Sequence, residues 1–140
     1  MRLLIDTHVF VWLNDAPERL SPKASEFCGN RDNELYLSLV SPWEMQIKAA
    51  LGKLHLDVSI REMCETQERD NGLKLLTVSL DHIARLDTLG PAHRDPFDRM
   101  LIAQAINDGM TLVTADTIFG RYPVATLWRQ FSLCLLSLPS

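Results

Sequence analysis

Short apolar runs alternate along the chain with stretches in which apolar residues recur at helical spacing. The runs predict five strands, at residues 2–5, 35–40, 75–78, 110–114 and 124–128. Helices are predicted between them, beginning at serine caps or cap-plus-proline pairs at Ser21-Pro22, Ser41-Pro42, Ser59, Ser79 and Asp95-Pro96. Strands that alternate with helices are typical of an α/β domain, with a mostly parallel central sheet and helices on both faces.

The helix that begins at Asp95-Pro96 carries an acid on its apolar side. Asp98 precedes Leu101 and Ile102 by three and four residues, so its carboxylate faces the side that the helix should bury. An ionised carboxylate is costly there unless it is paired, hydrogen-bonded or bound to a metal ion. The structural alternative is that Asp98 only stabilises the helix N-terminus, as first-turn acids commonly do.

Composition narrows the class of protein. A chain of 140 residues with 46% hydrophobic residues predicts one globular domain. The formal net charge of −4 argues against a broadly basic nucleic-acid surface, but not against a phosphate site built on metal ions. Three widely spaced cysteines favour a reducing cytoplasm over a zinc site or a disulfide framework. The apolar runs are too short for a signal peptide or a membrane span, so we expect a cytoplasmic protein.

Three further acids are expected at the same edge of the sheet as Asp98. Asp6 and Asp116 directly follow predicted strands, and Glu44 begins a helix right after another. In α/β sheets, ligands bind outside the carboxyl ends of the strands, so these four acids have a structural reason to meet. Their mutual repulsion would be relieved by hard cations such as Mg²⁺ or Mn²⁺. One or two such ions can activate water and hold a phosphodiester for hydrolysis.

Each of these acids also has an ordinary structural explanation. Asp6 could cap the helix that follows it. Glu44 has capping-box spacing with Ser41 and could pair with Lys48 one turn later. Asp116 could be a turn residue. Four caps that all fall at one end of one sheet are nevertheless the less economical account.

Four motifs, in a fixed order, together carry a resemblance to a known family. They are Leu4-Ile5-Asp6-Thr7-His8, Ser41-Pro42-Trp43-Glu44, His93-Arg94-Asp95-Pro96-Phe97-Asp98-Arg99 and Thr114-Ala115-Asp116. Their order and spacing resemble the PIN-domain ribonucleases, and more narrowly the VapC toxins of bacterial type II toxin–antitoxin pairs. The resemblance covers a PIN-like domain over residues 1–128 and leaves 129–140 as an apolar tail of unassigned role. It implies a metal-dependent endoribonuclease that uses Mg²⁺ or Mn²⁺, forms a homodimer and is silenced by a cognate antitoxin.

The resemblance also implies roles for individual residues. It places an acidic quartet at Asp6, Glu44, Asp98 and Asp116. Asp6 and Asp98 are the first-choice metal ligands, and the other two acids complete the site directly or through waters. Asp95 matches the extra acid of the motif, and we interpret it as the helix cap. The hydroxyl of Thr114 is expected to orient Asp116 or a water.

Several other polar residues are candidates for contact with RNA. They are Arg94, Arg99, Lys48 and His8. Arg94, Arg99 and Lys48 are equally well explained as solvated or salt-bridged side chains. His8 could hydrogen-bond near the metal or position RNA, but a local structural role is the more common one for such a histidine. Trp12, Trp43 and Trp128 are interpreted as core or dimer-interface residues, with base stacking as the alternative.

Three functions are compatible with these residues. The leading hypothesis is metal-dependent hydrolysis of RNA that leaves 5′-phosphate and 3′-hydroxyl ends. The alternative is a non-catalytic PIN-fold module that binds RNA or protein, although a pure scaffold has little reason to retain four acids. A phosphatase or receiver domain with Asp6 as phosphoacceptor is disfavoured, because His8 stands where a second aspartate is usual.

Overall fold

The computed structural model describes residues 1–91 and 95–129, together with the backbone of 131–132. One six-stranded sheet runs through the domain in the order β3-β2-β1-β4-β5-β6. The strands are β1 (Arg2–Ile5), β2 (Glu34–Ser38), β3 (Lys74–Leu76), β4 (Thr111–Val113), β5 (Thr126–Leu127) and β6 (Phe131–Ser132). The first five pair in parallel, and β6 pairs antiparallel to β5. The five predicted strands are therefore present, and the tail adds a sixth that the sequence did not predict.

Six α-helices accompany the sheet in the described residues. They are α1 (Thr7–Asp15), α2 (Pro22–Gly29), α3 (Val40–Ala50), α4 (Ile60–Asn71), α5 (Leu80–Arg85) and α6 (Pro96–Asp108). None of these helices is long and apolar enough to cross a membrane.

Side chains that alternate along β1 divide the core in two. Leu3 and Ile5 pack with Phe10 of α1 and with residues of α2 and α4 on one face of the sheet. Leu4 packs with Leu101 and other residues of α6 on the opposite face. Successive strand residues point to opposite faces, so a run that is apolar throughout is buried on both. This arrangement confirms the predicted α/β fold with helices on both faces.

The junction between β2 and α3 differs from the prediction. The strand ends at Ser38 and the helix begins at Val40, with Leu39 as an N-cap that makes no side-chain hydrogen bond. Val40 is buried in the core on the α6 side. The apolar run therefore extends beyond the end of the strand because its last residues belong to the start of the helix. Ser41 therefore lies inside the helix, and the capping-box explanation of Glu44 is wrong.

A buried histidine joins α5 to the end of α6. The backbone N–H of Ser79 donates to Nδ1 of His82 at 3.0 Å, and the hydroxyl of Ser79 accepts from the backbone N–H of His82. Because Nδ1 accepts, the ring proton sits on Nε2, which lies 3.0 Å from Oδ2 of Asp108 and donates to it. His82 thus satisfies a helix cap and a carboxylate at once.

Replacing His82 with leucine is expected to lower the free energy of unfolding by about 2–3 kcal/mol, since Asp108 and the Ser79 N–H lose a buried partner. Urea denaturation measures this loss. His55→Leu is the matched control, because the His55 side chain is 95% exposed. Equal unfolding midpoints for the two variants would contradict the assigned role of His82.

Candidate active site

Asp6 lies where β1 ends and α1 begins, and only 5% of it is exposed. Its Oδ1 accepts a hydrogen bond of 2.8 Å from the backbone N–H of Val9, so it does cap α1. Burial, with a smaller contribution from the charge of Asp98, raises the pKa of Asp6 from 3.8 to about 6, against the opposing hydrogen bonds of Thr114 and Val9. The cap explanation of Asp6 is therefore confirmed, and its role as a metal ligand stays a prediction.

Thr114 connects the ends of β1 and β4. Its side chain is buried and hydrogen-bonds to Asp6, while its Oγ1 accepts from the backbone N–H of Asp116 at 3.1 Å. The carboxylate of Asp116 is exposed and accepts from the backbone N–H of Ile118 at 3.0 Å, which starts a short 3₁₀ helix. One hydroxyl therefore fixes Asp6 directly and Asp116 through its backbone.

Glu44 is buried on the inner side of α3, with 4% exposed. The hydroxyl of Thr7 lies 2.8 Å from Oε1 of Glu44 and donates to it, because a carboxylate can only accept. Nζ of Lys48 donates to Oε2 at 2.7 Å. Both oxygens of Glu44 thus have donors within the protein, and the pairing with Lys48 that the spacing indicated is present.

Lys48 lies within electrostatic reach of the start of α6. Its hydrogen bond to Glu44 raises the pKa of the Lys48 ammonium, and the charges of Asp95 and Asp98 raise it further. A cation that is held beside three acids partly offsets their charge. The site is therefore less repulsive to a polyanion than its acid content alone implies.

The first turn of α6 separates two acids by role. Oδ1 of Asp95 accepts from the backbone N–H groups of Phe97 at 2.9 Å and Asp98 at 3.1 Å, so Asp95 is the N-cap that the sequence predicted. Asp98 is half-buried, and its charge acts on both Asp6 and Lys48. Of these two acids, it is the charge of Asp98, and not that of the cap, that raises the pKa of Asp6.

The basic residues that the sequence suggested for contact with RNA also differ from one another in role. Arg99 donates to the backbone carbonyls of Gly90 and Leu86, which anchors the segment before α6. His8 is exposed beside Asp6, where it lowers the pKa of that carboxyl. Arg94 lies outside the described residues.

The acids do not close around a single point. Among residues 1–91 and 95–129, no group of three or more His, Cys, Asp or Glu side chains is arranged to hold a metal ion. Glu44 and Asp116 are predicted to complete the site directly or through waters, and that stays a prediction; Thr7 and Lys48 each donate to one oxygen of Glu44. The oxygen donors of Asp6 and Asp98 still fit Mg²⁺ or Mn²⁺, since such ions use one or two carboxylates and keep several waters.

Thr7 is the polar residue of this site that the sequence did not single out. It is half-buried, and its Oγ1 lies 2.9 Å from the hydroxyl of Ser41 as well as 2.8 Å from Glu44. Its position directly after Asp6 was the available signal, because a hydroxyl beside an acid at a strand end can reach the next segment. Its partners are 34 and 37 residues away, which no local rule specifies.

Comparison with known proteins assigns this architecture to a family. The PIN domain family matches residues 3–125. Ribonuclease VapC22 of Mycobacterium tuberculosis is 30% identical over 115 residues, which is 81% of this chain and 86% of that protein. The Rickettsia felis VapBC2 structure, bound to a promoter DNA fragment, has a TM-score of 0.69 at 16% identity over 94% of this chain and 100% of the matched one. VapBC-1 of nontypeable Haemophilus influenzae has a TM-score of 0.56 at 18% identity over 86% and 91%. The two structures show likeness of fold.

Proposed function

This chain belongs to the PIN-domain family and to its VapC ribonucleases, and from that premise we propose that it is a divalent-metal-dependent endoribonuclease. The observation that carries the metal dependence is the buried carboxyl of Asp6 at the carboxyl edge of the sheet, whose pKa is raised to about 6 mainly by burial and in smaller part by the charge of Asp98. Burying an ionised carboxylate within reach of a second negative charge has an electrostatic cost that a bound cation removes. Metal ligation is the use of this pair that the chemistry favours.

Asp6 and Asp98 would hold Mg²⁺ or Mn²⁺, one ion or two. The bound ion would activate water and stabilise charge on the scissile phosphate. Thr114 keeps Asp6 in a fixed orientation through its hydroxyl, and Glu44 keeps Lys48 beside the acids, where its ammonium lowers the repulsion of RNA phosphates. Asp116 presents its carboxylate at the open edge, where it can accept a hydrogen bond from water. Attack of water with departure of the 3′ oxygen leaves 5′-phosphate and 3′-hydroxyl ends.

We extend the proposal to protein partners, namely a cognate antitoxin and a second copy of this chain. The VapBC structures that share the fold support the first partner. Large apolar side chains are exposed on α3 and α5, with Trp43 at 61% and Leu80 at 80%. Such surfaces in small proteins mark interaction sites.

Cleavage of total RNA by the purified chain tests the metal dependence. We expect cleavage in Mg²⁺ or Mn²⁺ that stops in EDTA and returns when the metal ion is restored. End-labelling of the products should show 5′-phosphates. Cleavage that continues unchanged in EDTA would exclude the metal-carboxylate mechanism, since Asp6 and Asp98 would then have no ion to hold.

A further inference from the structure

One acid of the site, Glu44, is held as half of an ion pair. Nζ of Lys48 lies 2.7 Å from its Oε2, one turn further along α3. The side chain of Glu44 is 5% exposed and that of Lys48 is 40% exposed, so the pair is sheltered on the acidic side and open on the basic side. Water and salt screen a partly buried pair less than an exposed one. The positive charge of Lys48 therefore stays with Glu44 at ordinary salt concentrations.

The second oxygen of Glu44 is held from another segment of the chain. Its Oε1 accepts from the hydroxyl of Thr7 at 2.8 Å, and that hydroxyl also lies 2.9 Å from the hydroxyl of Ser41, which is fully buried. A carboxylate oxygen can accept a further bond, but the two oxygens are so close together that a metal ion on either one would lie near the Lys48 ammonium. Like charges repel, so direct ligation by Glu44 is opposed as long as Lys48 is in place.

The same ammonium is within reach of the start of α6. The charges of Asp95 and Asp98 act on Lys48. Helix α3 also touches the first turn of α6, because the ring of Trp43 meets that of Phe97 edge to face at 5.2 Å. Lys48 thus supplies a positive charge that is shared by the acid of α3 and the acids of α6. In two-metal sites, a second divalent ion supplies such a charge.

We propose that the ammonium of Lys48 takes the place of a second metal ion, so that the site holds one divalent ion and Glu44 is not a direct ligand to it. The inference rests on the proposed metal-dependent ribonuclease function and deepens it by fixing the number of ions and the role of one lysine. Lys48 is a positioning residue, because it keeps Glu44 occupied while Asp6 and Asp98 bind the ion. Since its charge is part of the chain, Glu44 is neutralised before any metal ion arrives.

The test counts the Mn²⁺ ions that the metal-free full chain binds, by isothermal titration calorimetry and by electron paramagnetic resonance. We expect the wild type to bind one ion, with the spectrum of an isolated Mn²⁺. Lys48→Met keeps an unbranched side chain but loses the charge, and it should bind two ions, whereas Lys48→Arg should bind one. Lys53→Met is the matched control, because Lys53 is exposed beyond the end of α3. A count other than one in the wild type, or an unchanged count in Lys48→Met, overturns the proposal.

A double variant guards against misfolding of Lys48→Met. Glu44→Gln combined with Lys48→Met removes both charges of the ion pair and keeps an oxygen that can accept from Thr7. We expect this double variant to bind one Mn²⁺ with an affinity within about threefold of the wild type, because one pair without net charge replaces another. If Glu44 were a direct ligand, its loss would weaken the binding of that ion. Weakening by about tenfold or more in the double variant overturns the proposal.

Metal counting needs no RNA, so the two proposals can fail separately. If wild-type protein cleaves RNA in Mg²⁺ but binds two Mn²⁺ ions, the inference about Lys48 is wrong and the ribonuclease stands. If the wild type binds one Mn²⁺ and the variants bind as expected, but no metal-dependent cleavage is observed, the one-ion site stands and the proposed activity fails.

Discussion

Replacing Asp6 with asparagine should abolish metal-dependent RNA cleavage and at the same time make the metal-free protein more stable at neutral pH. Loss of an ion that contributes several kcal/mol to the transition state corresponds to about a thousandfold or more in rate. Asparagine is as good an N-cap as aspartate, so the hydrogen bond from Val9 is retained. The variant therefore removes a charge from the site without removing the start of α1.

The gain in stability follows from the direction of the pKa shift. The Asp6 carboxyl has a pKa of about 6 in the folded protein and 3.8 as its ordinary value, so the folded state binds this proton more tightly than the unfolded state. Its ionisation therefore costs nothing below about pH 4 and progressively destabilises the fold as the pH rises to about 6. Above about pH 6, the buried Asp6 carboxylate lowers the free energy of unfolding by at most about 3 kcal/mol. The neutral asparagine amide carries no such cost.

Urea denaturation in EDTA, from about pH 4 to pH 8, measures the difference. The wild type and Asp6→Asn should have similar stability at the acid end and diverge above about pH 6. Asp15→Asn, at the exposed end of the same helix, is the matched control and should follow the wild type. An Asp6→Asn protein that is less stable at pH 8, or that still cleaves RNA, would mean that Asp6 is only a structural cap.

The second large effect is a contrast between two acids that are three residues apart. Asp98→Asn should reduce cleavage about a thousandfold and change the free energy of unfolding by less than about 0.5 kcal/mol. Asp95→Ala should leave metal-dependent cleavage in place but destabilise the protein by about 1 kcal/mol, because two N–H groups of the first turn lose their acceptor. The difference arises because Asp95 bonds its own helix, while the charge of Asp98 acts on Asp6 and Lys48.

Parallel assays of cleavage and urea unfolding on both variants measure the contrast. The pair is internally controlled, because each variant serves as the reference for the other. If Asp98→Asn unfolded the chain while Asp95→Ala stopped cleavage, the roles assigned to the two acids would have to be exchanged.

The features that depend on neighbouring residues in the chain, such as helix caps and strand ends, were predicted correctly from the sequence. Asp95 is a cap because Asp-Pro begins helices, and Asp6 and Asp116 lie at one edge because parallel strands end there. Those rules failed at Ser41-Pro42, where the helix began earlier. A buried apolar residue, Val40, satisfied the core on the α6 side and drew the helix start before the serine.

Contacts between distant segments account for what the sequence could not predict. Glu44 is held by Thr7, which follows a different strand, and Trp128 meets Trp12 only because β5 ends beside α1. The tryptophans were interpreted as core or interface residues, and Trp12 and Trp128 do pack against the core. Nothing in their spacing shows that their rings meet.

The central position of β1 has a consequence for how the chain is made. This first strand has β2 on one side and β4 on the other, and the backbone N–H of Asp6 donates to the carbonyl of Val113 at 3.1 Å. After Asp6 has left the ribosome, α6 and β4 must still be synthesised before that aspartate is joined by its neighbouring strand β4 and by Asp98 of α6. Nascent chains that lack α6 and β4 should thus carry no nuclease centre, and a cell that translates this message is exposed to its activity only after β4 has been made.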